Sequence, residues 1–272
     1  MRALGPPRFP EMLNIARGRG SDSRNPQLWN GLVGCWTMQE GGGSTVYDLS
    51  GHGNHGTLTN MDPATDWVVG PYGRALDFDG SDDYVNVAGA ARTLGAASNL
   101  SLWIMVRPSF AGAVVDYLFD SSVGTTGLGV RLFNASRVDC FAYRSGGLAY
   151  QYATLNHNAW WNLCVVMENT NTRLQVYNDG VELATTDIGT GSGSLKASAQ
   201  AIIGAEYTGA NPLICQVAGV ALYNRILTPA EIQHLYFDPW ALFRPAERVY
   251  PVAVASTVKP WYYYQHLSLG AA

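Results

Sequence analysis

The residues best placed for metal chemistry lie in Asp48-Leu49-Ser50-Gly51-His52-Gly53-Asn54-His55-Gly56. Gly51, Gly53 and Gly56, with Gly42 upstream, let the backbone turn left-handed and bring carbonyl oxygens together. Calcium takes about six to eight oxygens, and Asp48, Ser50 and the loop carbonyls can supply part of that shell. Asp48 and Ser50 are therefore the candidate calcium ligands. Asp77, Asp79, Asp82 and Asp83 follow around an Asp-Gly turn and read either as further oxygen donors or as ordinary turn residues. His52 and His55 have no convincing third ligand nearby, so zinc is not indicated.

Hydrolysis of a glycosidic bond needs two carboxylates flanking it. No strand-like stretch carries Glu, Asp and Glu at alternating positions, and Glu40, Glu168, Glu182, Glu206 and Glu231 are isolated at turns, strand ends or a helix cap. Gly189-Thr190-Gly191-Ser192-Gly193 only imitates a serine elbow and reads as a flexible turn. No phosphate-binding glycine motif precedes a helix. The expectation is a protein that is not an enzyme. Recognition of a sugar is the remaining chemistry, with rings stacking on C–H faces and amides or carboxylates fixing hydroxyls. Tyr143, Tyr150 and Tyr152 on adjacent strand-like segments, with Tyr207 and Asn211 in loops, are the candidate ligand-binding residues.

The elements that must hold these residues are short. Across 272 residues, 30 glycines, 15 tyrosines and 14% charged residues fit strands joined by tight turns. A chain of this length buries one substantial core. The net charge of −4 offers no basic patch for nucleic acid, and no run approaches the ~20 apolar residues of a membrane span. The first residues lack the apolar core of a secretory signal, so export by that route is not expected. Cys35, Cys140, Cys164 and Cys215 have no metal-ligand spacing and read as reduced, buried thiols, with strand-to-strand disulfides as the alternative.

Period-two or continuous apolar patterning begins at Gly31 and predicts strands at 32–38, 74–79, 83–88, 99–107, 113–119, 127–133, 137–144, 147–153, 160–168, 172–178, 181–187, 199–204 and 214–223. Asn178-Asp179-Gly180 signals a hairpin. Thr228-Pro229-Ala230-Glu231 signals a helix start, with Ile232, Leu235 and Tyr236 on one face. Trp36, Trp103 and Trp161 fall in apolar strands and are expected in the core. Residues 1–28, rich in Pro and Arg, read as an N-terminal arm, 29–240 as the domain, and 241–272 as a Pro-rich aromatic arm. Trp240, Phe243, Trp261, Tyr262, Tyr263 and Tyr264 are the expected assembly contacts, since exposed aromatics need covering, with packing against the chain's own sandwich as the alternative.

Leu32-Val33-Gly34-Cys35-Trp36, the Asp48 to Gly56 loop, Ala75-Leu76-Asp77-Phe78-Asp79-Gly80, Trp160 to Val166, Leu174 to Val181 and Val220 to Thr228 occur in the order of a laminin G-like, concanavalin A-like jelly roll, which the chain resembles over residues 31–237. The resemblance implies an all-β antiparallel jelly-roll sandwich with one short C-terminal helix, flanked here by the extended N- and C-terminal arms read above, and its similar Asn-His-Gly step implies a structural, hydrogen-bonding role for His55. Related domains place a calcium-binding acid in the strand before that helix; here the matching Val217-Ala218-Gly219-Val220 has none. The exit Asp238-Pro239-Trp240-Ala241-Leu242-Phe243 resembles structural proteins of tailed phages. That likeness implies a capsid-decoration, tail or fibre component at a virion surface, joined by its arms to other copies or other virion proteins and facing a cell-surface glycan. A free-standing carbohydrate-binding protein is the alternative, and a glycan hydrolase the more distant one.

Overall fold

The computed structural model describes residues 6–87, 89–90, 94–109, 115–134, 136–155, 159–172, 174–199 and 201–246. Trp261, Tyr262, Tyr263 and Tyr264 lie outside them. The first strands are β1 (Leu32–Trp36), β2 (Thr45–Val46), β3 (Gly56–Thr59), β4 (Trp67–Gly70), β5 (Gly73–Asp79) and β6 (Tyr84–Asn86). Then come β7 (Leu100–Pro108), β8 (Asp116–Asp120), β9 (Leu128–Asn134), β10 (Arg137–Arg144), β11 (Gly147–Thr154) and β12 (Trp161–Met167). The last are β13 (Leu174–Asn178), β14 (Val181–Glu182), β15 (Thr186–Thr190), β16 (Ile202–Ile203) and β17 (Ile214–Tyr223).

Among the described residues these strands make two antiparallel sheets. One runs β14-β13-β12-β7-β17-β5-β4, with β1 also on β17; the other runs β15-β11-β10-β9-β8-β16-β6-β3-β2. The sandwich expected from the sequence is present. The predicted segment 181–187 divides, because β14 pairs with β13 in one sheet while β15 pairs with β11 in the other. Strands β2, β3 and β4 have too few alternating residues to be read from pattern. Asp179 and Gly180 both take positive φ, as the predicted hairpin requires.

Alternation along the strands assigns the faces. Val138, Cys140 and Ala142 of β10 point between the sheets, against a core that includes Leu102, Ile104, Val106, Leu163 and Val165. Trp36 and Trp161 join that core. On the opposite face of the first sheet, Trp103, Met105, Cys164, Val166 and Ala218 are also apolar, and water contact there would be costly. Segments 9–17 and 240–243 cover it.

Helix α1 (Phe9–Arg17) buries Met12, Ile15 and Ala16 there, so residues 9–17 are part of the folded unit rather than a free arm. Its first turn has a proline, and Glu11 Oε2 accepts from the Arg8 backbone N–H at 3.1 Å. Trp240 and Phe243, expected to face a partner, are buried in the same layer. The Phe243 ring meets Trp29 edge-on at 5.6 Å, and Trp29 Nε1 donates to the Leu242 carbonyl at 2.9 Å. The bare apolar sheet face is the physical reason: it captures the nearest aromatic segment of its own chain. Helix α2 (Pro229–Phe237) begins as predicted, with Thr228 and Glu231 capping reciprocally. All four cysteines are free and buried.

Candidate functional site

The glycine loop is built around Asp48. One carboxylate oxygen accepts from the N–H groups of Cys35 at 2.9 Å and Ser50 at 2.8 Å. The other accepts from the Ser50 hydroxyl at 2.8 Å and the Asn54 N–H at 2.9 Å. Both oxygens are thus occupied by protein donors, and Gly51 and Gly53 take positive φ to close the loop. Neither Asp48 nor Ser50 has its oxygens turned outward for calcium, and β17 supplies no acid, so the residues present do not fit that ion here. The signal was sound for a glycine cage, but the cage holds a carboxylate. His55 accepts from the Asp48 N–H through Nδ1 at 3.0 Å, the structural role expected of it. Asp79, Asp82 and Asp83 bring ligand atoms within 4.8 Å of one another. Two of them serve the turn: Asp79 accepts from the Ser81 N–H at 2.7 Å and Asp83 from the Asp79 N–H at 3.1 Å.

A different constellation lies on the outer face of β8 to β11. Alternation sends Arg137, Asp139, Phe141 and Tyr143 of β10 outward, with Arg131 and Phe133 of β9 and Leu148, Tyr150 and Tyr152 of β11 beside them. Among the described residues no terminal helix covers this face. Gly129 stands opposite Phe141 in the register, where a Cβ would come within 2.4 Å of the Phe141 ring. Glycine at 129 therefore lets the ring lie flat enough to floor a cleft.

That cleft, of about 260 Å³, is lined by Tyr117, Ser122, Arg131, Phe141, Tyr143, Leu148, Tyr150, Glu206 and Tyr207. Arg131 is its centre. Its guanidinium lies 5.3 to 5.7 Å from the ring centroids of Phe141, Tyr150 and Tyr117, a spacing at which a cation is attracted to the ring faces. Nη1 donates to the Tyr117 hydroxyl at 3.1 Å and Nη2 to the Tyr150 hydroxyl at 2.8 Å. Burial opposes the arginine charge, but those hydroxyls outweigh it and hold the group protonated above its ordinary range.

Asp139 is fully buried beneath the rings. It accepts from the Tyr150 hydroxyl at 2.5 Å, from Arg137 Nε at 2.5 Å and from Arg131 Nε at 3.4 Å. Burial is the main cause that raises the Tyr150 pKa, and the bond to Asp139 adds to it, so this phenol stays protonated at neutral pH. Asp120 anchors the neighbouring loop by accepting from the Tyr207 N–H at 2.9 Å, and it also accepts from Ser122. Burial pushes its carboxyl up to about 6 against those bonds. Glu206 gives one oxygen to the Asn211 side chain at 2.7 Å.

The structure brings Tyr143, Tyr150 and Tyr207 into one cleft, with Tyr152 on the same face, while Asn211 stands behind Glu206. Sequence reading passed over Arg131, Asp139, Tyr117, Phe141 and the cleft role of Glu206. The signal was there in part: Arg137, Asp139, Phe141 and Tyr143 alternate with apolar residues, so charge and rings share one face.

Residues 79–233 match the family model described as the concanavalin A-like lectin/glucanases superfamily. The chain belongs to this superfamily. Several solved structures share the lectin-like fold. The binding domain of Paraclostridial Mosquitocidal Protein 1 superposes with a TM-score of 0.61 at 14% identity, over 77% of this chain and 52% of that one. A Trypanosoma rangeli sialidase in complex with the inhibitor DANA gives 0.59 at 17% identity, over 86% and 38%. The binding domain of botulinum neurotoxin serotype G gives 0.60 at 12%, over 76% and 50%. The chain thus spans about half or less of each. No curated protein matches it in sequence.

Proposed function

We propose that this superfamily member is a non-catalytic glycan-binding module whose ligand enters the Arg131 cleft. The observation that carries the reading is a preformed cleft in which four tyrosines and Phe141 surround one guanidinium. Rings stack on sugar C–H faces, and hydroxyls, Arg131 and Glu206 serve the sugar's own hydroxyls. Arg131 and Arg137 are balanced by Asp139 and Glu206, so the ligand is a neutral sugar rather than a carboxylated or sulfated one. Asp139 and Asp120 have their oxygens engaged by protein donors, which leaves Glu206 as the cleft's carboxylate with an oxygen to offer. A hydrolase of the two-carboxylate kind needs a second, and this supports binding without turnover. The binding domains of the mosquitocidal protein and the neurotoxin lend the reading support by fold alone.

The test is an array of neutral oligosaccharides, each printed beside its sialylated and sulfated form, probed with the full chain and Tyr207→Ala. Selective capture of neutral members, lost in the variant, supports the reading. Binding of acidic members alone refutes the neutral preference, and no binding at all refutes the site.

Display on a virion is the second part of the proposal, with Trp261-Tyr262-Tyr263-Tyr264 joining other copies or other particle proteins. The aromatic content of that run supports it, now that Trp240 and Phe243 are accounted for within the domain. Light scattering of the full chain and of one ending at Ala246 tests it, since only the longer chain should form a defined oligomer.

A further inference from the structure

Phe133 is 39% exposed, a large apolar ring left in water on the same sheet face as the cleft. It is not isolated. The Arg137 guanidinium lies 4.4 Å from the Phe133 ring centroid and 4.1 Å from that of Tyr152, layered between the two. Both rings are held by the strands that build the cleft: Phe133 on β9, Arg137 on β10 and Tyr152 on β11.

This stack is tied to the cleft by shared groups. Arg137 Nε donates to Asp139, and its Nη2 donates to the Tyr150 hydroxyl at 3.3 Å. Nη1 has no partner among the described residues and remains a donor at the rim of the stack. Tyr143 in the cleft and Arg137 in the stack are six positions apart on β10, about 20 Å of strand. The surface between them is aromatic and polar in alternation, with its charges balanced as in the cleft.

Resting on the neutral-glycan reading of the cleft, we infer that Phe133, Arg137 and Tyr152 form a second subsite for the same ligand. The ligand is then a linear neutral oligosaccharide laid along β10, one end in the Arg131 cleft and its continuation stacked on Phe133. A single sugar in the cleft leaves the exposed ring and the free Nη1 donors without a role, whereas a chain uses both.

The experiment measures affinity for linear neutral oligosaccharides of one to six residues, using the full chain and the variants Phe133→Ala, Phe133→Leu and Tyr207→Ala. Phe133 is surface-exposed, so its variants keep the fold, and leucine keeps apolar bulk while removing the ring. The wild type should bind tighter beyond the trisaccharide. Both Phe133 variants should lose about tenfold on the longer members, the scale of one aromatic contact, and nothing on the mono- and disaccharide. Tyr207→Ala should weaken every length. If the Phe133 variants match the wild type throughout while Tyr207→Ala fails, the second subsite is overturned and the cleft stands. If the wild type binds none of the series, the cleft reading falls and the second subsite falls with it.

Discussion

Arg144 ends β10 with its side chain turned into the fold, fully buried, and among the described residues no carboxylate pairs with it. All five of its N–H donors meet backbone carbonyls. Nε reaches Gly193 at 2.8 Å, Nη1 reaches Asn171 at 2.6 Å and Gly191 at 2.9 Å, and Nη2 reaches Glu168 at 2.5 Å and Asn169 at 3.0 Å. One side chain therefore pins loops 168–171 and 191–193 to the sheet. Burial lowers its pKa, yet the convergent carbonyl dipoles keep the charge tenable. Arg144→Lys offers three donors at most, leaving two of the five bonds unmade. At about 1.5–3 kcal/mol per charge-assisted bond, the loss is about 3–6 kcal/mol. That is a large part of the ~5–15 kcal/mol that holds a domain folded. Arg144→Met removes the charge and all five bonds, and its loss should be at least as large. Urea unfolding followed by tryptophan fluorescence reads both as a lower midpoint at unchanged slope. A methionine variant as stable as the wild type refutes the reasoning, because it means the loops close without the guanidinium.

Glu40 gives a pH dependence. Burial pushes its carboxyl up to about 7, and Oε2 is buried without a partner while Oε1 accepts from the Tyr47 N–H at 2.8 Å. The folded state binds this proton more tightly than the unfolded one, so its stabilisation is complete below pH ~4.5 and is lost as pH rises through about 7, a loss of about 3 kcal/mol. Asp120 acts in the same direction over a slightly lower window. Glu40→Gln should flatten the decline of melting temperature between about pH 5 and 8, and an unchanged slope counts against the assignment. Asp48→Ala strands four donors, and denaturant unfolding should register a loss of at least about 3 kcal/mol. Trp240→Ala opens a cavity in the terminal layer, costing about 3–5 kcal/mol. A wild-type midpoint for Trp240→Ala on the full chain means that layer is not part of the cooperative unit.

The sandwich was legible because its long strands alternate cleanly: β7, β10, β12 and β17 each bury a full inward row. The closing helix was legible from Thr228, Pro229 and Glu231 alone, since capping is local chemistry. Strands β2 to β4 were not, because runs of two to four residues take their conformation from neighbours. The terminal layer was missed for a related reason. Helix α1 presents only Met12, Ile15 and Ala16 to the sheet, and the need for a cover is visible only once Trp103, Met105 and Cys164 are known to share a face. In the site, ring residues were found as a list, but Arg131 and Asp139 were not. Their partnership depends on register between β9 and β10, where Arg131 stands opposite Asp139.

The two outer faces of the sandwich illustrate a difference in what each is for. The face covered by α1, Trp240 and Phe243 is predominantly apolar, with Asn162 paired to Trp103 and Leu235, and its burial accounts for stability without any appeal to function. The other face buries Asp139 completely and half-buries two arginines, an arrangement whose desolvation cost commonly cancels its Coulombic gain. Apolar side chains at 131, 137 and 139 would serve the fold as well or better. What the ionic network does supply is position: it holds the Tyr117 and Tyr150 hydroxyls, the Arg131 plane and the Arg137 stack in one geometry before any ligand arrives. Binding then avoids the ordering cost of those long side chains, about 0.5–1.5 kcal/mol for each one immobilised. A surface that carries charge at the expense of stability, in a form that lowers the cost of recognition, is what the proposed binding role requires.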